Sequence, residues 1–102
     1  MTQFNVYRVY YYSAPQYSWD VRIDLYSSAA AVGTLLFMKE GQSIPVNTIA
    51  NGIPRLYFSI RDFPAMMTML REEKPLFVNL NEANGIGLIC TSDEPVGEQE
   101  GV

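Results

Sequence analysis

Residues 61–75, RDFPAMMTMLREEKP, decide the fold. Asp62 is a good N-cap type, because its carboxylate can accept the free N–H groups of a first turn. Pro64 follows inside that turn, where a missing N–H costs nothing. Phe63, Met66, Met67 and Leu70 fall at helical spacing and form one apolar face. Thr68, Arg71 and Glu72 lie mostly opposite. Arg71 and Lys74 suit the negative end of the helix dipole, and Pro75 stops the segment. The pattern predicts a helix over 62–74. A helix of about three turns is marginal alone, so its apolar face must be covered by a sheet. Met69 falls off the main face and is the methionine expected to reach a neighbouring subunit.

Working outward, four strand-like segments precede this helix and two follow it. Residues 4–12, FNVYRVYYY, carry apolar or aromatic side chains on both faces. One face is Phe4, Val6, Arg8, Tyr10 and Tyr12; the other is Asn5, Tyr7, Val9 and Tyr11. Residues 18–26 show the cleanest alternation. Trp19, Val21, Ile23 and Leu25 point one way, and Asp20, Arg22, Asp24 and Tyr26 the other. Residues 30–39 form a third strand, in which Gly33 marks a bulge or a close approach. Residues 40–54 read as a connection that packs down through Ile44, Val46 and Ile49. Residues 55–60 are the fourth strand, with Leu56, Phe58 and Ile60 inward. After the helix come strands over 76–80 and 86–91, joined by a hairpin loop whose tight position is Asn84-Gly85.

The expected fold is therefore α+β and mainly β. It is a curved antiparallel sheet or small open barrel of about six strands, with the helix between strands four and five. Residues 1–92 form a single domain, and 93–102 an acidic, mobile tail.

Composition narrows the function. The chain has 102 residues, 48% of them hydrophobic, which suffices for a packed core. The formal charge is −4, and Asp93, Glu94, Glu98 and Glu100 account for all of it. The body is neutral, without the basic footprint of a duplex-DNA binder. With no histidine and one cysteine, the chain cannot build a Ser-His-Asp triad, a Cys-His pair or a Cys/His zinc site. No glycine-rich phosphate loop is present. Gly85 and Gly87 read as a turn glycine and a strand glycine facing a large neighbour. Asp20 and Asp24 sit roughly 13 Å apart along a strand, too far for two-carboxylate chemistry. Cys90 has no base nearby in sequence to activate it and reads as structural. These features predict a non-enzymatic protein with no cofactor and no metal.

The lone cysteine fits a reducing compartment, and the N-terminus lacks the basic start and apolar core of a secretion signal. The longest near-apolar run, residues 29–38, is ten residues, about half a membrane-spanning helix. A cytoplasmic protein without a membrane partner is expected.

Tyrosine is the surplus. If Tyr7 and Tyr11 share the solvent face with Arg22, Tyr26, Arg55 and Tyr57, that face is a platform of rings and guanidinium groups. Two uses follow. Tyrosine and arginine are enriched in subunit interfaces. Bases of single-stranded nucleic acid also stack on such surfaces. The neutral body and acidic tail favour the first. The leading expectation is an interaction module that self-associates, as a dimer in the simplest case, through this face or a strand edge. Single-stranded RNA or DNA binding is the alternative, and a small-molecule or peptide pocket between sheet and helix the third.

Glu73-Lys74-Pro75 before a strand, and residues 91–98, TSDEPVGE, after one, resemble a group of small uncharacterised bacterial and phage proteins. That resemblance covers the C-terminal third and implies no activity. By element order alone, strands followed by a covering helix, the chain is also similar to Whirly-type single-strand-binding folds. As a small curved barrel it is similar to Sm-like RNA-binding proteins, whose helix comes first where this one comes late. Those comparisons imply nucleic-acid contact without a motif to carry it.

Overall fold

The structure is a computed structural model that describes residues 1–93 and Val96. The tail beyond Asp93 therefore lies, Val96 apart, outside the described residues. The fold is α+β and mainly β, with one α-helix and two sheets, neither closed into a barrel. Among the described residues eight strands replace the expected six: β1 Thr2–Phe4, β2 Val6–Tyr11, β3 Trp19–Ser27, β4 Ala30–Met38, β5 Thr48–Ala50, β6 Ile53–Ser59, β7 Leu76–Asn81 and β8 Ile86–Thr91. The helix α1, Phe63–Glu72, thus lies between the sixth and seventh strands.

The first difference is at Asn5. The segment expected as one strand breaks there and serves two sheets. β1 pairs antiparallel with β7, and β2 antiparallel with β3. Asn5 anchors the crossing: its N–H donates to the Tyr26 carbonyl at 2.9 Å, and its Oδ1 accepts from Ser28 N at 2.9 Å. Phe4, just before it, is buried in the core. The second difference is β5, inside the expected connection. Asn51 and Gly52 both have positive φ, 53° and 76°, the combination a tight hairpin needs, and they fold β5 back onto β6. The third is that β6 pairs with β4 in parallel, so the larger sheet, in order β2-β3-β4-β6-β5, is mixed. The smaller sheet has the order β1-β7-β8 and is antiparallel throughout.

The core lies between the sheets. Val21, Ile23, Leu25, Leu35, Phe37 and Leu56 from the larger sheet meet Phe4, Leu76 and Val78 from the smaller one, and Leu70 from α1. Two glycines allow the layers to touch. A Cβ on Gly87 would collide with Leu56, and one on Gly33 would lie 3.1 Å from Leu25 Cδ1 and 3.3 Å from Val78 Cγ2. Gly33 also pairs beside a register shift, so the expected bulge and close approach are both present.

The helix sits where its apolar face requires. Phe63 packs edge-on to Phe37 at 5.3 Å between ring centroids. Met66 and Met67 pack on the core as expected. So does Met69, which is partly buried against the same core. A short 3₁₀ turn, Ile60–Asp62, leads into α1. Asp62 precedes the helix without a side-chain cap bond. The Ser59 hydroxyl caps the entry instead, accepting from Arg61 N at 3.2 Å.

Candidate functional site: the tyrosine and arginine face opposite the helix

The core-facing side of the larger sheet is covered by the smaller sheet and α1. No strand or helix among the described residues covers its other side, and the strand registers state which residues occupy it. Partners across a sheet share a face. One row across four strands is Tyr10, Arg22, Leu36 and Tyr57; the next is Arg8, Asp24, Thr34 and Arg55. Val6 and Tyr26 form a third pair on the same side.

Of the six residues expected to form the platform, Arg22, Tyr26, Arg55 and Tyr57 share this face. Tyr7 and Tyr11 do not. They pair with Leu25 and Val21, whose side chains are core, so they lie on the helix side. Tyr11 stands at the sheet margin, edge-on to Phe63 with centroids 5.4 Å apart. Arg8, Tyr10 and Tyr12 take their places. Those three are the other alternation of the first segment, visible in the sequence as a set. The alternation leaves open which set is buried, because each carries enough apolar surface to be the inner one.

Trp19 is a further change. Its pair is Met38, while the next register pair is Val21 with Phe37, so Asp20 is an extra residue in β3. That bulge turns Trp19 out of the core face it was expected to share with Val21. It stacks on Tyr17, 4.8 Å between centroids and 12° between planes, with Tyr12 edge-on to both rings. The loop before it is clipped down by Lys39. Its Nζ donates to the carbonyls of Ala14, Tyr17 and Trp19 and pairs with Asp20 at 3.3 Å.

The guanidinium groups are held in place. Arg22 lies over the Tyr10 ring, 4.8 Å from its centroid, and grips Asp24 through Nε (2.9 Å) and Nη2 (2.7 Å). This fork raises the Arg22 pKa further above its already high value. Arg8 lies 5.7 Å from the Tyr26 ring centroid and donates to the Tyr10 hydroxyl at 3.3 Å. Arg55 is exposed and makes no ion pair among the described residues. The two rows and the Val6–Tyr26 pair thus hold three arginines against one aspartate, and that aspartate is already engaged. Leu36, at the centre, is 2% exposed beneath these longer side chains.

A second surface is apolar. β8 is the terminal strand of its sheet and contains neither charge nor proline. Ile86 and Leu88 are 58% and 37% exposed on it. Asn47 ties the loop before β5 to the β7–β8 hairpin, donating to the Gly85 carbonyl at 3.0 Å and accepting from Tyr57 N at 2.9 Å. That loop exposes Ile44 and Val46.

Among the described residues no cluster of three His, Cys, Asp or Glu side chains could hold a metal ion, and no helix is long and apolar enough to cross a membrane. The chain matches no protein-family model, no curated protein and no solved structure.

Proposed function

We propose that this chain is a non-enzymatic binding module that holds single-stranded nucleic acid on its tyrosine and arginine face. The observation that carries this is the placement of Arg8, Arg22 and Arg55 among Tyr10, Tyr26 and Tyr57 on the one uncovered side of a five-stranded sheet. Bases stack on tyrosine rings and on flat guanidinium groups, while arginine neutralises phosphate. The same charge pattern weighs against self-association through this face. A two-fold contact would place three arginines against three arginines, with each Asp24 already engaged by its own Arg22.

The test is fluorescence anisotropy with labelled single-stranded oligonucleotides across a salt series. Among the described residues Arg8 and Arg55 are not paired to acids, so about two phosphates are neutralised. The slope of log K against log salt is then about −1.4. Absence of binding at about 20 mM salt, where the electrostatic part is strongest, would sink the proposal.

Self-association belongs to the other surface. The terminal strand β8, with Ile86 and Leu88 exposed, carries no charge or proline of the kind that keeps strand edges from pairing. A dimer built there leaves the arginine face free. Sedimentation equilibrium at tens of micromolar tests it, and a clean monomer would remove it.

A further inference from the structure

We infer that the chain has a separate binding site for an apolar monoanion, a medium-chain or aryl monocarboxylate, where the C-terminal end of α1 meets β1 and β2. A cavity of about 590 Å³ opens there. That lies within the range of small-molecule sites, roughly 300–1,000 Å³.

The cavity is built in two halves. Its apolar wall is Phe4, Leu70 and Leu76, all buried members of the core. Its polar rim brings Arg71 and Lys74 from the helix end together with Tyr7. Tyr7 was expected on the sheet platform. Its place on the helix side puts it here, half-buried against the core. Asn5 also lines the cavity. Its Oδ1 is taken by Ser28 N, which leaves its amide N–H groups as donors.

The charge on the rim selects the ligand. Arg71 and Lys74 stand there with Glu73, which makes an interaction of its own. Two cations and one carboxylate leave a single positive charge. That balance suits one carboxylate better than a phosphate dianion. An apolar body is required to fill the wall of Phe4, Leu70 and Leu76. Arg71 and Lys74 also complement the helix dipole, and that role does not require the cavity beneath them. The site uses no residue of the tyrosine and arginine face, so it stands or falls apart from nucleic-acid binding.

The experiment is a ¹H–¹⁵N NMR titration of the full chain with sodium decanoate below its micelle concentration. Decanol and decyl phosphate are parallel arms. The expected result is saturable shifts centred on residues 3–7 and 70–76, half-complete at or below about 1 mM. Decanol should bind at least about tenfold more weakly, since it lacks the charge-assisted contact. Decyl phosphate should bind no more tightly than decanoate. The double variant R71Q/K74Q should lose about tenfold in decanoate affinity. No saturable shift, shifts centred elsewhere, or equal affinity for decanol would overturn the site. Those outcomes come from the unaltered protein and hold whether or not the double variant folds. Tighter binding of decyl phosphate would overturn the assignment to a monoanion.

Discussion

The Arg22 guanidinium lies 4.8 Å from the centroid of the Tyr10 ring. The contact joins two strands across the uncovered face, and Asp24 locks it from the other side. Asp24 is 8% exposed, and Arg22 is its hydrogen-bond and ion-pair partner among the described residues. The variant Arg22→Met is expected to lose about 2 kcal/mol in urea unfolding, below the range for a fully buried pair because the arginine side chain is partly exposed. Arg22→Lys should recover only part of the loss, since an ammonium cannot reproduce the fork or the flat contact with Tyr10.

Nucleic-acid binding, if it uses this face, must distinguish tyrosines on the two sides of the sheet. Tyr57→Ala is expected to weaken oligonucleotide binding by about 1–3 kcal/mol. Tyr11→Ala, on the helix side and 74% exposed, should leave it unchanged. Equal effects from both, measured by anisotropy at one salt concentration, would dissociate binding from the face.

The strand edge gives an independent prediction. Lysine at Ile86 and Leu88 together adds charge to β8, the usual means by which proteins block edge pairing. If the chain dimerises through β8 as proposed, the I86K/L88K variant should sediment as a monomer at concentrations where the parent chain is dimeric. Both positions are exposed, so the unfolding midpoint should change little.

Close approach of the two sheets predicts a sharp penalty at Gly87. Alanine there collides with the Leu56 side chain, which is 1% exposed and has little space to yield. Gly87→Ala should destabilise the protein by about 1–3 kcal/mol in denaturant unfolding. Shortening Leu56 to Val in the same chain should relieve part of that loss, a coupling readable in a double-mutant cycle.

The exposed pair Arg61–Glu40 gives a pH prediction. Hydrogen bonding from Arg61 lowers the Glu40 pKa below its ordinary value of 4.5. A depressed carboxylate pKa contributes stability that is present above the unfolded value and lost as pH falls through the folded one. The Glu40 carboxyl, followed by carbon-detected NMR, should therefore titrate below 4.5 and return toward it in Arg61→Gln. A Glu40 midpoint unmoved by that substitution would show that the pair does not persist in solution.

Several elements were legible in the chain. The apolar spacing of Phe63, Met66, Met67 and Leu70 located α1 to within two residues at its C-terminal end and one at its start. Asn84-Gly85 located the last hairpin, where Gly85 N donates to the Asn81 carbonyl at 2.8 Å. Other elements left no local mark. The break at Asn5 falls inside a run of strand-forming residues, and only the change of partner from β7 to β3 makes it a break. The parallel pairing of β4 with β6 is a relation between segments whose own sequences look the same in either direction. β5 is three residues long, too short for alternation to show.

By itself, the sequence determined the class of the fold, the helix and its buried stripe, and the grouping of residues into alternating sets. Those follow from periods of 3.6 and 2.0 that belong to the backbone. Tertiary structure decided which set faces the core. In residues 4–12 both sets carry tyrosine and valine, so burial on either side gains similar free energy locally. Pairing with β3 breaks the tie, because Val21, Ile23 and Leu25 must be covered and draw Tyr11, Val9 and Tyr7 to their side. Arg8, Tyr10 and Tyr12 then join Arg22 on the open face. The bulge at Asp20 sends Trp19 after them, since one extra residue in a strand reverses the side of what precedes it.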